Sequence, residues 1–98
     1  MARFVQLINF TQAGIDRFEE IPELNDQARA LADELGGELV DFYVTLGQYD
    51  AVAVVDAPDA ESILTGTVTM AKTGIIETET LRAFDEDTLE DVIMDLPE

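Results

Sequence analysis

Apolar and polar side chains alternate in the middle of the chain with the two-residue period that is typical of β-strands. Every second position of the first such run is apolar, namely Val40, Phe42, Val44 and Leu46. Gly47-Gln48-Tyr49 interrupts the run, and a glycine that can take positive φ suits a short hairpin loop. The segment Asp50 to Asp56 continues as a small, nearly all-apolar strand of a type usually buried on both faces. These residues predict a β-hairpin.

Two further strands are predicted towards the ends of the chain. Arg3 to Phe10 is apolar in both registers, which indicates a central strand with two covered faces. Ile75 to Phe84 is predicted to be the last strand. One of its sides carries Thr78, Thr80 and Arg82, and the other carries charged and apolar residues. Together with the hairpin, these segments give four strands.

The segments between the strands have the period of about 3.6 residues that is typical of amphipathic helices. Pro22 opens the first helix and Gly36-Gly37 ends it, and its apolar stripe consists of Leu24, Ala28, Leu31 and Leu35. Asp59 is a suitable N-cap for the second helix, which ends at Gly74. Asp85 caps a short last helix, whose expected buried face consists of Leu89, Val92, Ile93 and Leu96.

The predicted order of elements, β-α-β-β-α-β followed by a helix, is that of the ferredoxin-like α+β fold. Residues 1–98 suit a single domain with a four-stranded antiparallel sheet and two helices on one of its faces. The second face would carry apolar residues from the first and third strands together with Leu39, Asp41, Tyr43 and Thr45. Such a face is more apolar than a solvent-exposed sheet face, so we expect two protomers to pair sheet to sheet as a dimeric α/β barrel.

The formal net charge of −17, from 22 acidic and 5 basic residues, restricts the possible partners. Such a surface repels phosphates and anionic lipids, so neither nucleic acids nor membranes are expected as partners. The acidic residues are spread over all predicted helices, which favours adaptation to high cytoplasmic salt, where screening shortens charge repulsion. An ordinary acidic protein is the alternative. No segment resembles a signal peptide or a membrane span, and the expected location is the cytoplasm.

Four motifs resemble those of the GYD domain family in their order and spacing. They are Thr11-x-x-Gly14-Ile15, Gly36-Gly37, the hairpin Gly47-Gln48-Tyr49-Asp50 and the late strand Thr78 to Phe84. The resemblance covers nearly the whole chain. It implies a ferredoxin-like fold that assembles as a dimeric α/β barrel, and it leaves the biochemical role open.

The chain has no histidine, cysteine or tryptophan, which limits the chemistry it can perform. Histidine acid–base catalysis, thiol nucleophiles and the common zinc sites are excluded. No phosphate loop or dinucleotide motif is present, and no metal ion or cofactor is predicted. The acidic start of the last helix matches no calcium loop and is interpreted as a solvated helix end.

Two sets of side chains are candidates for a functional role. One is the pair of Tyr49 and Asp50, and the other is Arg82. Tyr49 and Asp50 could act as a phenol and a carboxylate, although hairpins favour these residue types for structural reasons as well. Arg82 is expected in a central strand, where an arginine needs a carboxylate partner, and ion pairing is the favoured role over ligand binding. Its candidate partners are Asp41, Glu77 and Glu79.

Two classes of function remain open. A small-molecule-binding or assembly module is favoured, because no acid–base constellation is evident. A cofactor-independent monooxygenase- or isomerase-like enzyme is the alternative, by analogy with other dimeric α/β barrels. If a small molecule binds, the main donor would be Arg82, so we expect a mostly apolar ligand with one acidic or carbonyl end. We expect the pocket to lie between the exposed face of the sheet and either the partner sheet or the helices. The predicted contacts of the ligand are Gln6, Tyr43, Thr45, Tyr49, Asp50, Thr80 and Arg82.

Overall fold

The computed structural model describes residues 1–98 and contains the four predicted strands and the three predicted helices in the predicted order. The strands are β1 (Ala2–Phe10), β2 (Glu38–Val44), β3 (Ala51–Ala57) and β4 (Ile76–Ala83). The helices are α1 (Gln12–Asp16), α2 (Ile21–Glu34), α3 (Ala60–Ala71) and α4 (Glu86–Met94). A 3₁₀ turn (Phe18–Glu20) separates the short helix α1 from α2. None of the helices combines the length and the apolar character needed to cross a membrane.

The strands form one sheet in the order β2-β3-β1-β4, and all neighbours are antiparallel. The first strand pairs on both sides and is therefore central, as predicted. Helices α2 and α3 lie on one face of this sheet. The arrangement is ferredoxin-like α+β, which confirms the predicted fold class. The other face of the sheet has no covering element in the protomer, and we call it the open face.

Side chains of β1 alternate between the two faces of the sheet. Phe4 and Ile8 lie on the helix side and are buried, each with an exposed fraction of 6%. Gln6 lies between them on the same side, where its amide contacts α3. Val5 and Leu7 lie on the open face and are half-buried. The strand is therefore apolar on both sides, as its sequence predicts.

The second strand departs from the predicted alternation. Its pairing with β3 shifts between Leu39 and Asp41, so that Val40 is an extra residue in the ladder. As a result, Leu39 packs with Phe42 against the helix-side core, while Asp41 and Tyr43 keep the open-face register. The expectation that Leu39 lies on the second face is wrong, because a bulge of one residue reverses a two-residue alternation.

The Thr11-x-x-Gly14 motif joins the end of β1 to the start of β4. The Thr11 hydroxyl accepts a hydrogen bond from the Gly14 N–H (3.2 Å) and donates one to the Gly74 carbonyl (2.7 Å). The Thr11 N–H donates to the carbonyl of Ile75, a fully buried residue (3.0 Å). A Cβ atom at position 14 would lie 2.2 Å from that carbonyl oxygen, so only glycine fits. This motif has a structural role.

The Gly14→Ala substitution should destabilise the protein by about 1–3 kcal/mol, since the backbone around Ile75 must shift to admit a methyl group. Gly66→Ala is the matched control. A Cβ atom there would meet only the Leu35 side chain at an ordinary 3.5 Å, and alanine stabilises a helix interior by about 1 kcal/mol over glycine. Urea unfolding should therefore give changes of opposite sign. Equal changes would contradict the structural role of Gly14.

The last helix is not packed against the rest of the protomer. Asp85 caps it as predicted, by accepting a hydrogen bond from the Thr88 N–H (2.8 Å). The apolar face that was expected to be buried is more than half exposed, at 53% for Leu89, 51% for Val92, 56% for Ile93 and 60% for Leu96. That expectation is wrong for the protomer, because α4 continues beyond the end of β4 and no neighbouring element covers it. The radius of gyration, 15.0 Å, accordingly exceeds the value of about 13 Å expected for a compact chain of this length.

Most acidic side chains have no cationic partner. The three ion pairs of the protein are Arg3–Asp56, Arg17–Glu20 and Arg29–Asp26. Helix α2 ends with Asp33 and Glu34, and its last turn has no basic residue. Negative charges at a helix C-terminus oppose the helix dipole, so part of the charge is placed unfavourably as well as being unpaired.

Raising KCl from about 0.01 M to 1 M shortens the Debye length from roughly 30 to 3 Å, and we expect the melting temperature to rise over this range. Glu34→Gln should raise the low-salt melting temperature more than Glu61→Gln does. Both variants lose one negative charge, but Glu61 lies in the first turn of α3, where the dipole favours an anion. The difference should disappear in 1 M KCl because the charges are then screened. A melting temperature that does not change with salt would contradict the role of charge repulsion.

Candidate functional site

The open face has an apolar centre between two polar ends. Its central side chains come from all four strands and are Val5, Leu7, Tyr43, Val52, Val54 and Leu81. Tyr43 is 59% exposed and Leu81 43% exposed. An apolar patch built by neighbouring strands and rimmed by polar groups is typical of an interaction site.

One end of the open face is closed by an ion pair between neighbouring strands. Arg3 on β1 lies opposite Asp56 on β3 and donates two hydrogen bonds to its carboxylate, at 2.9 and 3.0 Å. The hydrogen bond and the charge of the guanidinium lower the pKa of Asp56 below its ordinary value. The same contact raises the pKa of Arg3. Both groups are therefore charged at neutral pH, and their paired geometry fixes this corner of the sheet.

The other end of the open face is crossed by the hairpin that connects β2 and β3. The Tyr49 hydroxyl donates a hydrogen bond to the Glu79 carboxylate on β4, at 2.8 Å. This hydrogen bond, with burial and the negative charge of Glu79, raises the pKa of Tyr49 above its ordinary value. Tyr49 therefore stays protonated at neutral pH and connects the hairpin to the far edge strand.

Asp50 and Thr45 build the hairpin itself. The Asp50 carboxylate accepts a hydrogen bond from the Phe10 N–H at 2.9 Å, and its own N–H donates to the Ile8 carbonyl at 2.8 Å. The Asp50 carbonyl accepts from the Thr45 N–H at 2.8 Å, and the Thr45 hydroxyl donates to the Tyr49 carbonyl at 2.7 Å. These contacts favour the structural interpretation of Asp50, because the carboxylate fastens the loop to the end of β1.

Gln6 and Thr80 lie together on the helix side of the sheet. The Gln6 amide nitrogen donates to the Thr67 hydroxyl of α3 at 2.8 Å and to the Thr80 hydroxyl of β4 at 3.3 Å. This small polar group connects the sheet to α3. The sequence pattern gave no sign of this contact, because Gln6 and Thr67 are 61 residues apart in the chain.

Arg82 lies on the edge strand β4 and not on a central strand, and it has no carboxylate partner, so both expectations are wrong. Its guanidinium donates to the backbone carbonyls of Arg3, at 3.0 Å, and of Ala83. It also lies 4.4 Å from the centre of the Phe84 ring and 5.6 Å from that of Phe4. Aromatic rings and carbonyl oxygens take the place of the predicted carboxylate, since both attract a cation.

The seven residues predicted to contact a ligand therefore occupy three separate places. Gln6 and Thr80 lie under α3, and Arg82 covers Phe4 near the end of the sheet. The remaining four belong to the open face or to the hairpin at its end, namely Tyr43, Thr45, Tyr49 and Asp50. Binding of a small molecule by these residues stays a prediction.

A second concave region lies between the sheet and the two helices. It is a cavity of about 100 Å³ whose wall is mostly apolar. Its side chains include Ile8 and Phe42 from the sheet, Leu31 from α2, and Ile63 and Met70 from α3. Its polar residues are Gln6, Asn25, Ser62, Thr67 and Thr78. Asp56 also borders it, but the Asp56 carboxylate lies on the open face, bound to Arg3. A pocket beside the helices was one of the two locations expected from the sequence, but of the seven predicted ligand contacts only Gln6 lines this cavity.

The fold defines a small ferredoxin-like domain with one accessible, largely apolar sheet face. The GYD domain model matches residues 4–93, and the chain belongs to the GYD domain family. This confirms the family resemblance of its motifs.

A protein of Thermus thermophilus is 32% identical to this chain over 84 residues, which cover 85% of this chain and 88% of that protein. It is described as a glutamine synthetase and cystathionine beta-lyase binding protein. The crystal structure of TTHA0845 from the same organism aligns with a TM-score of 0.53 and 26% identity, over 87% of this chain and 95% of that chain. HapK from Hahella chejuensis aligns with a TM-score of 0.54 and 20% identity, over 87% and 92% of the two chains, and resembles this protein in fold.

The Arg3–Asp56 pair should make stability depend on pH in one direction. The pKa of the Asp56 carboxyl is lower in the folded state than in the unfolded state, where it is about 4. The ionised carboxyl therefore stabilises the protein above the unfolded pKa, and this contribution is lost as the pH falls through the folded pKa. Asp56→Asn should therefore lower the melting temperature at pH 7 and have no effect near pH 2. Glu77→Gln is the control, because Glu77 also lies on a strand but its side chain makes no hydrogen bond. This substitution should not lower the melting temperature at pH 7. A penalty for Asp56→Asn that is equal at both pH values would contradict the ion-pair role.

Proposed function

We propose that this protein is a small binding module that self-associates through its open face, as at least a dimer, and binds other proteins in its assembled form. The observation that carries the proposal is the apolar centre of the open face, which neither helix covers. Two such faces stacked sheet to sheet would form the interior of a dimeric α/β barrel.

The surface area of the protomer supports association. The protomer exposes 6611 Å², whereas a folded monomer of its mass exposes about 5,500 Å². The protomer therefore exposes about 1,100 Å² more than expected for a folded monomer of its mass. This excess is larger than the roughly 800 Å² that each partner buries in an interface of standard size. Only nine of the 98 residues are buried in the protomer. A second copy would supply the apolar contacts that this small core lacks.

The charge distribution fits a face-to-face contact at high ionic strength. In the middle of the open face, the central strands β1 and β3 hold only valine and leucine side chains. Arg3 and Asp56 lie at one end, whereas Asp41 and Glu79 lie on the edge strands β2 and β4. The net charge of −17 makes two copies repel each other over long distances in dilute salt. Salt adaptation, proposed from composition, would therefore favour assembly as well as folding.

The binding of other proteins is supported by the relative from Thermus thermophilus, whose description names two enzymes that it binds. A shared family and 32% identity over most of both chains make a binding role the function that the comparisons favour. The exposed apolar face of α4 offers a further surface for such contacts, because it would remain accessible outside the sheet-to-sheet interface.

The chemistry of the open face favours binding over catalysis. Tyr49 and Glu79 are the titratable groups in close contact at the hairpin end, and their hydrogen bond raises the pKa of Tyr49. A general base is most effective when its pKa lies near the working pH, so the Tyr49 hydroxyl, with its raised pKa, is poorly suited to that role.

Tyr43→Glu should dissociate the assembly, because it places two like charges in the centre of the proposed interface. Light scattering at micromolar concentration in high salt should give the mass of at least a dimer for the wild type and of a monomer for the variant. Leu64→Glu is the matched control, since Leu64 is similarly exposed, at 63%, but lies on α3. A wild-type monomer, or equal masses for the two variants, would overturn the proposed assembly.

A further inference from the structure

We propose that the cavity between the sheet, α2 and α3 binds a small, uncharged, mostly apolar molecule of the size of a single aromatic ring, with one hydroxyl or carbonyl group. The site lies on the face of the sheet opposite the proposed interface between protomers. It therefore does not depend on the assembly proposed above.

The size of the cavity sets the size of the ligand. Its volume is about 100 Å³. One water molecule needs about 10–15 Å³ of such space, and an apolar cavity of about 150 Å³ stays dry and binds benzene. The cavity is therefore larger than the void left by one missing methyl group, and its volume suits a compound with one ring.

The wall excludes a charged ligand. It is formed mainly by aliphatic and aromatic side chains of the sheet and both helices. Its one titratable residue, Asp56, has its carboxylate bound to Arg3. Arg82, which the sequence suggested as a donor for an acidic group, is not part of the wall. An ionised ligand would lose its hydration without gaining a partner, so the ligand is neutral.

Gln6 supplies the polar contact. Its amide nitrogen is already bound to the hydroxyls of Thr67 and Thr80, whereas its side-chain oxygen accepts no hydrogen bond from the protein. A hydroxyl on the ligand can donate to this oxygen, and the Thr67 and Thr78 hydroxyls at the wall can donate to a carbonyl. These groups make the site selective for an apolar compound with one polar end.

Loose packing of α3 provides a way in. None of its residues is fully buried, and Leu64 and Val68 on its outer side are 63% and 47% exposed. A helix with so few buried contacts opens at low free-energy cost, so a ligand can enter beside it and order it on binding.

Phenol, benzene and benzoate are the probes that test the proposal, with binding followed by the NMR shifts of backbone amides around the cavity. We expect phenol to bind about fivefold more tightly than benzene, which is the effect of one ordinary hydrogen bond, and benzoate not to bind. Gln6→Met should abolish the preference for phenol while benzene still binds. Ala28→Leu fills the cavity from α2 and should weaken both neutral probes at least tenfold.

Ala30→Leu is the matched control, because Ala30 lies two residues further along α2 but is exposed and outside the cavity wall. Ala32→Leu, which also fills the cavity, replaces Ala28→Leu if circular dichroism shows that the first variant does not fold. Absence of binding by the wild type would overturn the proposal, as would equal binding by the filled and control variants. Light scattering on the same samples separates this result from the proposed assembly: a dimer that binds no probe refutes the cavity site alone.

Discussion

The structure depends on one constraint: two helices can cover only one face of a four-stranded sheet. The central strands β1 and β3 nevertheless place apolar side chains on both faces. The helix side becomes the core, with Phe4, Ile8 and the alanines of β3 as its buried centre. The other face keeps its valines and leucines accessible, and this division explains how so small a core coexists with so large an apolar surface.

The fold could be predicted because its signals are local. Asp59 and Asp85 cap their helices through side-chain contacts three residues along the chain. Gly36, Gly47 and Gly74 take positive φ at the positions where the sequence pattern ends a helix or turns a hairpin. Such features depend on nearby residues alone, so they can be recognised before the tertiary structure is known.

The features that escaped prediction depend on distant residues. Leu39 changes face because of one inserted residue, which an alternation of period two cannot register. Two of the groups that contact the Arg82 guanidinium, the Arg3 carbonyl and the Phe4 ring, come close only when β1 and β4 pair. The partner of Tyr49 is 30 residues away on another strand. The size and lining of the cavity depend on how far two helices stand from the sheet, a distance that no local pattern encodes.

The irregular pairing of β2 has a consequence for the behaviour of the chain in concentrated solution. Strands β2 and β4 are the edges of the sheet, and every edge offers unpaired N–H and C=O groups to strands of other molecules. The bulge at Val40 distorts one of these edges, while Glu77 and Glu79 place negative charge along the other. Both devices hinder strand-by-strand addition of further chains. The sheet can therefore expose a broad apolar face and still resist growth into fibrils.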